Sequence, residues 1–228
     1  GNLMAMGKDK LKRFSEIKEF NNVIHPIIKY DFPDHQIKGN WNSEFKNNQP
    51  IVLELGCGRG EYTVELARQF SKKNFIGVDI KGARLWRGAK TAFENNITNV
   101  RFLRTKVDFI EKLFNKNEVS EIWLTFSDPQ PKKPRKRLTS PLFINRYRNT
   151  IKKGGIIHLK TDSDLLYEYT LQQIEENSYT LIQNINNIYI DFSKLNDELK
   201  NTLCIKTFYE KKWLKINKKI KYISFKID

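Results

Sequence analysis

Ile51-Val52-Leu53-Glu54-Leu55-Gly56-Cys57-Gly58-Arg59-Gly60 is an apolar run of strand length, with one carboxylate inside it, that closes on three glycines at alternate positions. Glycine reaches backbone angles that a Cβ forbids, and a bare main chain lets a ligand lie directly against it. The residues that follow, Glu61, Tyr62, Val64, Glu65, Leu66, Ala67 and Phe70, carry their apolar members at steps of three and four, the periodicity of a helix. Strand, glycine turn and helix in that order read as a nucleoside-cofactor site. The dinucleotide form of this turn is spaced G-x-G-x-x-G and faces a pyrophosphate. Gly56, Gly58 and Gly60 are spaced G-x-G-x-G instead.

The tighter spacing resembles motif I of the Rossmann-like methyltransferases, whose S-adenosylmethionine lacks a phosphate and carries a sulfonium and an amino-acid tail. A second apolar strand, Asn74-Phe75-Ile76-Gly77-Val78-Asp79, ends on an acidic residue about 20 positions after the turn, where nucleotide folds hold a ribose. Asp79 is therefore expected on the ribose hydroxyls, and Glu54 near the cationic methionine part. The competing reading makes Glu54 and Asp79 solvated strand-end carboxylates and the glycines a plain tight turn. The order of all these features in one unit argues against it.

The chain's 228 residues suffice for one α/β domain, 1–228, with a full core. A net charge of +15 and a pI near 9.7 predict attraction to a polyanion: RNA, DNA or an anionic membrane surface. No run approaches the roughly 18 apolar residues of a membrane span, and the N-terminal stretch lacks a signal peptide's apolar core, so a cytoplasmic protein is expected. Cys57 and Cys204 are far apart and outside any C-x-x-C pair, which indicates neither a zinc site nor a disulfide framework. No metal is expected. Gly1 to Ala5 read as an expression scar before Met6. Lys8, Lys10, Lys12, Arg13 and Lys18 make a basic arm over residues 6–20, equally readable as an RNA contact or a solubilising tail.

Beyond Asp79 the βαβ rhythm continues. Helices are predicted over 81–95 and 109–114, and strands over 100–105 and 121–126. A helix over 141–152 is expected to end at Gly154-Gly155, followed by a strand over 156–161 and a helix over 162–176. Two β-rich runs, 202–209 and 220–226, then predict an antiparallel edge hairpin on a mostly parallel sheet with helices on both faces. The second decisive segment follows the fourth strand: Ser127-Asp128-Pro129-Gln130-Pro131-Lys132-Lys133-Pro134-Arg135-Lys136-Arg137. Ligands in open α/β sheets sit outside the carboxyl ends of strands, so Asp128 is expected at the cofactor crevice. Three prolines are expected to hold this loop extended, and its basic residues to meet phosphates.

Together with the glycine turn and Val78-Asp79, the Asp128-Pro129 loop with Lys132 and Lys133, His158-Leu159-Lys160-Thr161-Asp162, and Thr207-Phe208-Tyr209-Glu210 resemble the bacterial tRNA (guanine-N7-)-methyltransferase family. The resemblance runs from about Asn48 to the C-terminus. It implies transfer of a methyl group from S-adenosylmethionine to N7 of guanosine 46 in the variable loop of tRNA, without an obligatory protein partner, by a monomer or homodimer. Carried across motif by motif, Glu54, Gly56, Gly58, Gly60, Asp79 and Asp128 line the cofactor site, with Asp128 also the catalytic carboxylate. Lys132, Asp162, Thr207, Phe208, Tyr209 and Glu210 contact the substrate. The chain departs from the family in two places. Gln130 stands where an aromatic is common. Lys106, assigned to the cofactor site, falls where an acidic residue is usual near the adenine, with Asp108 two residues on.

Guanine N7 has an in-plane lone pair and no proton to lose, so no general base is required and positioning carries most of the catalysis. Asp128 and Asp162 are suited to accept hydrogen bonds from guanine N1 and N2, which adenine cannot satisfy. Other readings are a methyltransferase of another nucleic acid or a protein, a catalytically silent RNA-binding subunit, and an NAD-dependent oxidoreductase; the glycine spacing disfavours the last. His158, in an apolar strand, and Trp41, Trp86, Trp123 and Trp213 read as core packing.

Overall fold

The computed structural model describes residues 2–17 and 19–228, with the side chains of residues 2–8, 17 and 209 outside that description. Lys18 and the side chains of Lys8 and Tyr209 thus lie outside the described residues. The chain gathers into two compact units, Gly1–Leu113 and Phe114–Asp228.

The first unit contains α1 (Asn2–Ile17), β1 (Val23–Ile24), α2 (Trp41–Phe45), β2 (Ile51–Leu55), α3 (Glu61–Gln69), β3 (Asn74–Asp79), α4 (Gly82–Glu94) and β4 (Val100–Arg104). Its strands lie in the order β1-β4-β3-β2, and the β1–β4, β4–β3 and β3–β2 pairs are parallel. Every residue of β2 and β3 is buried, which is why both read as near-continuous apolar runs rather than alternating ones. Where the sequence suggested only a basic arm, α1 runs to Ile17 and packs on α4. Phe14 fills the space left by the missing side chain of Gly82, where a Cβ would lie 2.9 Å from its ring, and Trp86 donates its indole N–H to Glu16 at 2.7 Å.

The second unit contains β5 (Val119–Thr125), α5 (Pro141–Arg148), β6 (Ile151–Thr161), α6 (Asp164–Glu176), β7 (Thr180–Ile185), α7 (Asp197–Leu203), α8 (Phe208–Lys215) and β8 (Lys221–Lys226). Its strand order is β5-β6-β8-β7, with β6 parallel to β5 and β8 antiparallel to both neighbours. The antiparallel edge is present, but its strands are not those predicted. Residues 202–209 end α7 and begin α8, because two caps outweigh their β propensity. Asn196 Oδ1 accepts the Leu199 N–H at 2.8 Å, and Thr207 Oγ1 accepts the Glu210 N–H at 3.2 Å. The partner of β8 at the edge is β7, over residues for which the sequence pattern predicts no element.

Gly154 and Gly155 lie within a strand, not at a helix end. The helix before them stops at Arg148, and the pair sits inside β6, where the register jumps from Val119↔Ile151 to Glu121↔Ile156. Gly154 has φ +77°, and a Cβ on Gly155 would lie 2.4 Å from Ile151, so the glycines shape a bulge rather than end a helix. The loop after Asp128 is also not extended: residues 134–136 form a short 3-10 helix with Pro134 in its first turn, where a missing N–H has no partner to lose.

Candidate active site

In the first unit, the glycine turn is tied down by the strand beside it. Gly56 and Cys57 both donate their N–H to the Val78 carbonyl, at 2.8 and 2.9 Å. Gly58 donates to Asp79 Oδ2 at 2.9 Å, and the other oxygen, Oδ1, accepts the Lys81 N–H at 2.9 Å. Asp79 therefore holds the turn while keeping acceptor capacity on both oxygens for hydroxyls. Gly56, Gly58 and Gly60 all have φ between +55° and +73°. A Cβ on Gly56 or Gly58 would meet nothing within 4 Å, whereas one on Gly60 would meet the Phe102 ring at 2.6 Å. The first two glycines thus leave open space above a bare main chain, a surface that fits a flat nucleoside; the third serves internal packing.

Glu54 is buried at 2% exposure and accepts the Thr63 hydroxyl of α3 at 2.5 Å. Thr63 belongs to no motif of the sequence reading; its readable signal is a hydroxyl in the first turn of the helix that follows such a strand. Burial pushes the Cys57 thiol well above its usual range, and the carboxylates of Glu54 and Asp79 push it further, so Cys57 is an inert small residue. Lys106 is exposed just after β4 and begins the short helix Val107–Lys112, next to Thr105, whose N–H bonds the Asp79 carbonyl at 3.1 Å.

In the second unit, Asp128 is exposed beyond the end of β5, and its Oδ1 accepts the Gln130 N–H at 2.9 Å. It lies between two residues in the left-handed region, Phe126 at φ +53° and Gln130 at φ +47°, conformations that a non-glycine residue keeps only when its surroundings impose them. Arg137 is one of those surroundings. It is buried, donates Nε–H to the Pro129 carbonyl at 2.8 Å, and sits 4.5 Å over the Tyr169 ring. The sequence counted it with the phosphate-facing cations; the structure turns it inward. Lys132, Lys133, Arg135 and Lys136 remain exposed.

Asp162, at the end of β6, pairs with Lys218 at 3.3 Å. Thr207 is the N-cap of α8 and Phe208 is 53% exposed. Glu210, expected at the substrate surface, is fully enclosed. Its Oε2 takes the Lys160 ammonium at 2.8 Å and its Oε1 takes the Tyr189 hydroxyl. Burial lowers the Lys160 ammonium from its ordinary range against the opposing pull of Glu210, and burial followed by Glu210 raises the Tyr189 phenol. His158 is packed, as expected. It stacks on Trp123 with ring centroids 4.0 Å apart, while its nitrogens bond Tyr222 at 2.7 Å and Glu121 at 2.8 Å. Of the tryptophans, Trp41, Trp86 and Trp123 are buried, and Trp213 is half-buried.

Residues 48–223 match the family described as "Putative methyltransferase". The tRNA (guanine-N(7)-)-methyltransferase of Christiangramia forsetii is 50% identical over 96% of this chain and 98% of its own. The chain belongs to the tRNA (guanine-N(7)-)-methyltransferase family. The enzyme of the same name from Bacteroides fragilis is 50% identical over 96% of this chain and 86% of its own. Among solved structures, the 16S rRNA methyltransferase KamB superposes with TM-score 0.62 at 14% identity, covering 83% of this chain and 93% of that one. The geranyl diphosphate C-methyltransferase of Streptomyces coelicolor, solved with S-adenosyl-L-homocysteine, superposes with TM-score 0.51 at 16% identity, covering 95% and 91%. These likenesses show the methyltransferase fold.

Proposed function

We propose that this protein, as a single methyltransferase domain over residues 1–228, methylates N7 of guanosine 46 in the variable loop of tRNA. The observation that carries this reading is the 50% identity to tRNA (guanine-N(7)-)-methyltransferases over nearly the whole of both chains. S-adenosylmethionine supplies the electrophilic methyl group. Gly56 and Gly58 offer the open main-chain surface for it, Asp79 takes the ribose hydroxyls, Glu54 supplies negative charge beneath the turn, and Lys106 lies at the adenine end. Asp128 is the catalytic carboxylate. It and Asp162 accept from guanine N1 and N2, orient the base, and offset the positive charge that N7 methylation leaves. Lys132 meets phosphate, Phe208 offers an aromatic face beside the substrate contact assigned to Tyr209, and Thr207 and Glu210 shape the segment that carries them. The setting is the cytoplasm, and the protein acts without a partner subunit, as a monomer or homodimer.

The test is methyl transfer from labelled S-adenosylmethionine to unmodified tRNA transcripts with and without the variable-loop guanosine, followed by cleavage at N7-methylguanosine. Label confined to that guanosine is expected; label that persists on the transcript lacking it overturns the assignment of position.

A further inference from the structure

Lys160 of β6 bonds both the entrance to the Asp128 loop and the turn that leads into α8. Its carbonyl accepts the Phe126 N–H at 2.8 Å, at the entrance to the Asp128 loop. Its ammonium, wholly enclosed, donates to Glu210 at 2.8 Å, to the Leu203 carbonyl at 3.1 Å and to the Ile205 carbonyl at 2.8 Å. Leu203 ends α7 and Ile205 leads into Thr207, so these acceptors bracket the turn that starts α8. We propose that Lys160 is a positioning residue, which holds the Thr207–Glu210 segment through its side chain and the Asp128 loop through its main chain, so that both meet the same guanine.

This rests on the assignment of Asp128 and residues 207–210 to the site. A buried ion pair is a poor source of stability. Removing two charges from water costs so much that an apolar pair of equal volume often serves as well or better. What an ammonium adds is direction: acceptors from Leu203, Ile205 and Glu210 are drawn to one point, which fixes where the chain turns into α8. The Glu210 side chain faces no solvent, and its second oxygen is held by Tyr189. The cluster lies where β6 delivers Thr161 and Asp162 to its carboxyl end, so an error here moves the substrate segment rather than the cofactor turn.

The experiment is a double-mutant cycle with Lys160→Met, Glu210→Gln and the pair, measured in the full chain well below each melting temperature, with cofactor binding followed by calorimetry. If Lys160 acts through Glu210, Lys160→Met lowers kcat at saturating tRNA by about 100-fold, the scale of a misplacement near 1 Å. It leaves cofactor affinity within threefold, and the double variant loses no more than the worse single one. Losses that multiply in the double variant, or cofactor binding that falls with kcat, overturn the proposal. Should Lys160→Met not fold, Lys160→Gln, which keeps a donor, takes its place in the same cycle. A wild-type chain that methylates no tRNA refutes the function reading instead, so the two failures are distinct.

Discussion

Gly58 and Gly60 are glycines for different reasons, and substituting each by alanine separates cofactor binding from packing. Both have positive φ, +55° and +70°, so either alanine carries about 1–2 kcal/mol of left-handed strain. At Gly58 that is the whole cost to the fold, because a Cβ there meets nothing within 4 Å. At Gly60 the new Cβ lies 2.6 Å from the ring of Phe102 and 3.2 Å from the Gly88 Cα. Phe102 is completely buried and has nowhere to turn, so overpacking adds about 1–3 kcal/mol. The totals, about 1–2 and about 2–5 kcal/mol, correspond to melting temperatures lowered by roughly 2–8 °C and 4–20 °C for a chain of this length. Cofactor affinity is expected to rank the other way. The Gly58 methyl projects into the space assigned to the nucleoside and weakens binding by at least about tenfold, or 1.4 kcal/mol. Paired thermal melts and titration calorimetry with S-adenosylmethionine read both quantities. A Gly58→Ala protein that binds the cofactor like wild type, or melts no higher than Gly60→Ala, refutes the reasoning.

Asp128→Asn loses a charged acceptor worth about 1.5–3 kcal/mol, so kcat/KM falls roughly 10- to 150-fold; full turnover with tRNA and cofactor bound normally would remove Asp128 from the chemistry. Arg137→Gln loses the charge-assisted bond to Pro129 and the contact with Tyr169. Urea unfolding should report about 1.5–3 kcal/mol less stability together with lower kcat, and unchanged kcat would mean that the Asp128 loop holds itself. Burial, aided by Glu121, raises the Tyr222 phenol. The unfolded chain therefore releases this proton first, and the stability tied to it is complete below about pH 10 and declines as pH rises toward the folded value, by up to about 1.4 kcal/mol per pH unit. Tyr222→Phe should flatten the decline in unfolding free energy between pH 9.5 and about pH 11; a parallel decline in both proteins contradicts the assignment.

The features legible in the sequence are those written into short spans. Ile51 to Gly60 announces a strand and a glycine turn because burial on both faces demands a continuous apolar run, and left-handed backbone demands glycine. Asp79 stands about 20 residues beyond the turn in sequence and beside it in the fold, where its carboxylate accepts the Gly58 N–H. Propensity was a weaker guide in the second unit, where residues 202–209 look like a strand one residue at a time. Their helices start only because Asn196 and Thr207 cap them.

By itself, then, the sequence determined the α/β rhythm, the glycine turn with its two carboxylates, and the polyanion-seeking charge, since each depends on neighbours within a turn or a strand. Only the tertiary structure decided which charges are tools and which are fastenings. Lys160 and Glu210, separated by 50 positions, meet in the interior; Arg137 turns away from solvent to hold Pro129; β7 takes the sheet edge. The reason is that spacing encodes the direction of the backbone, whereas the partner of a buried charge is set by long-range packing, and a charged residue reads the same in sequence whether it ends in water or against an opposite charge.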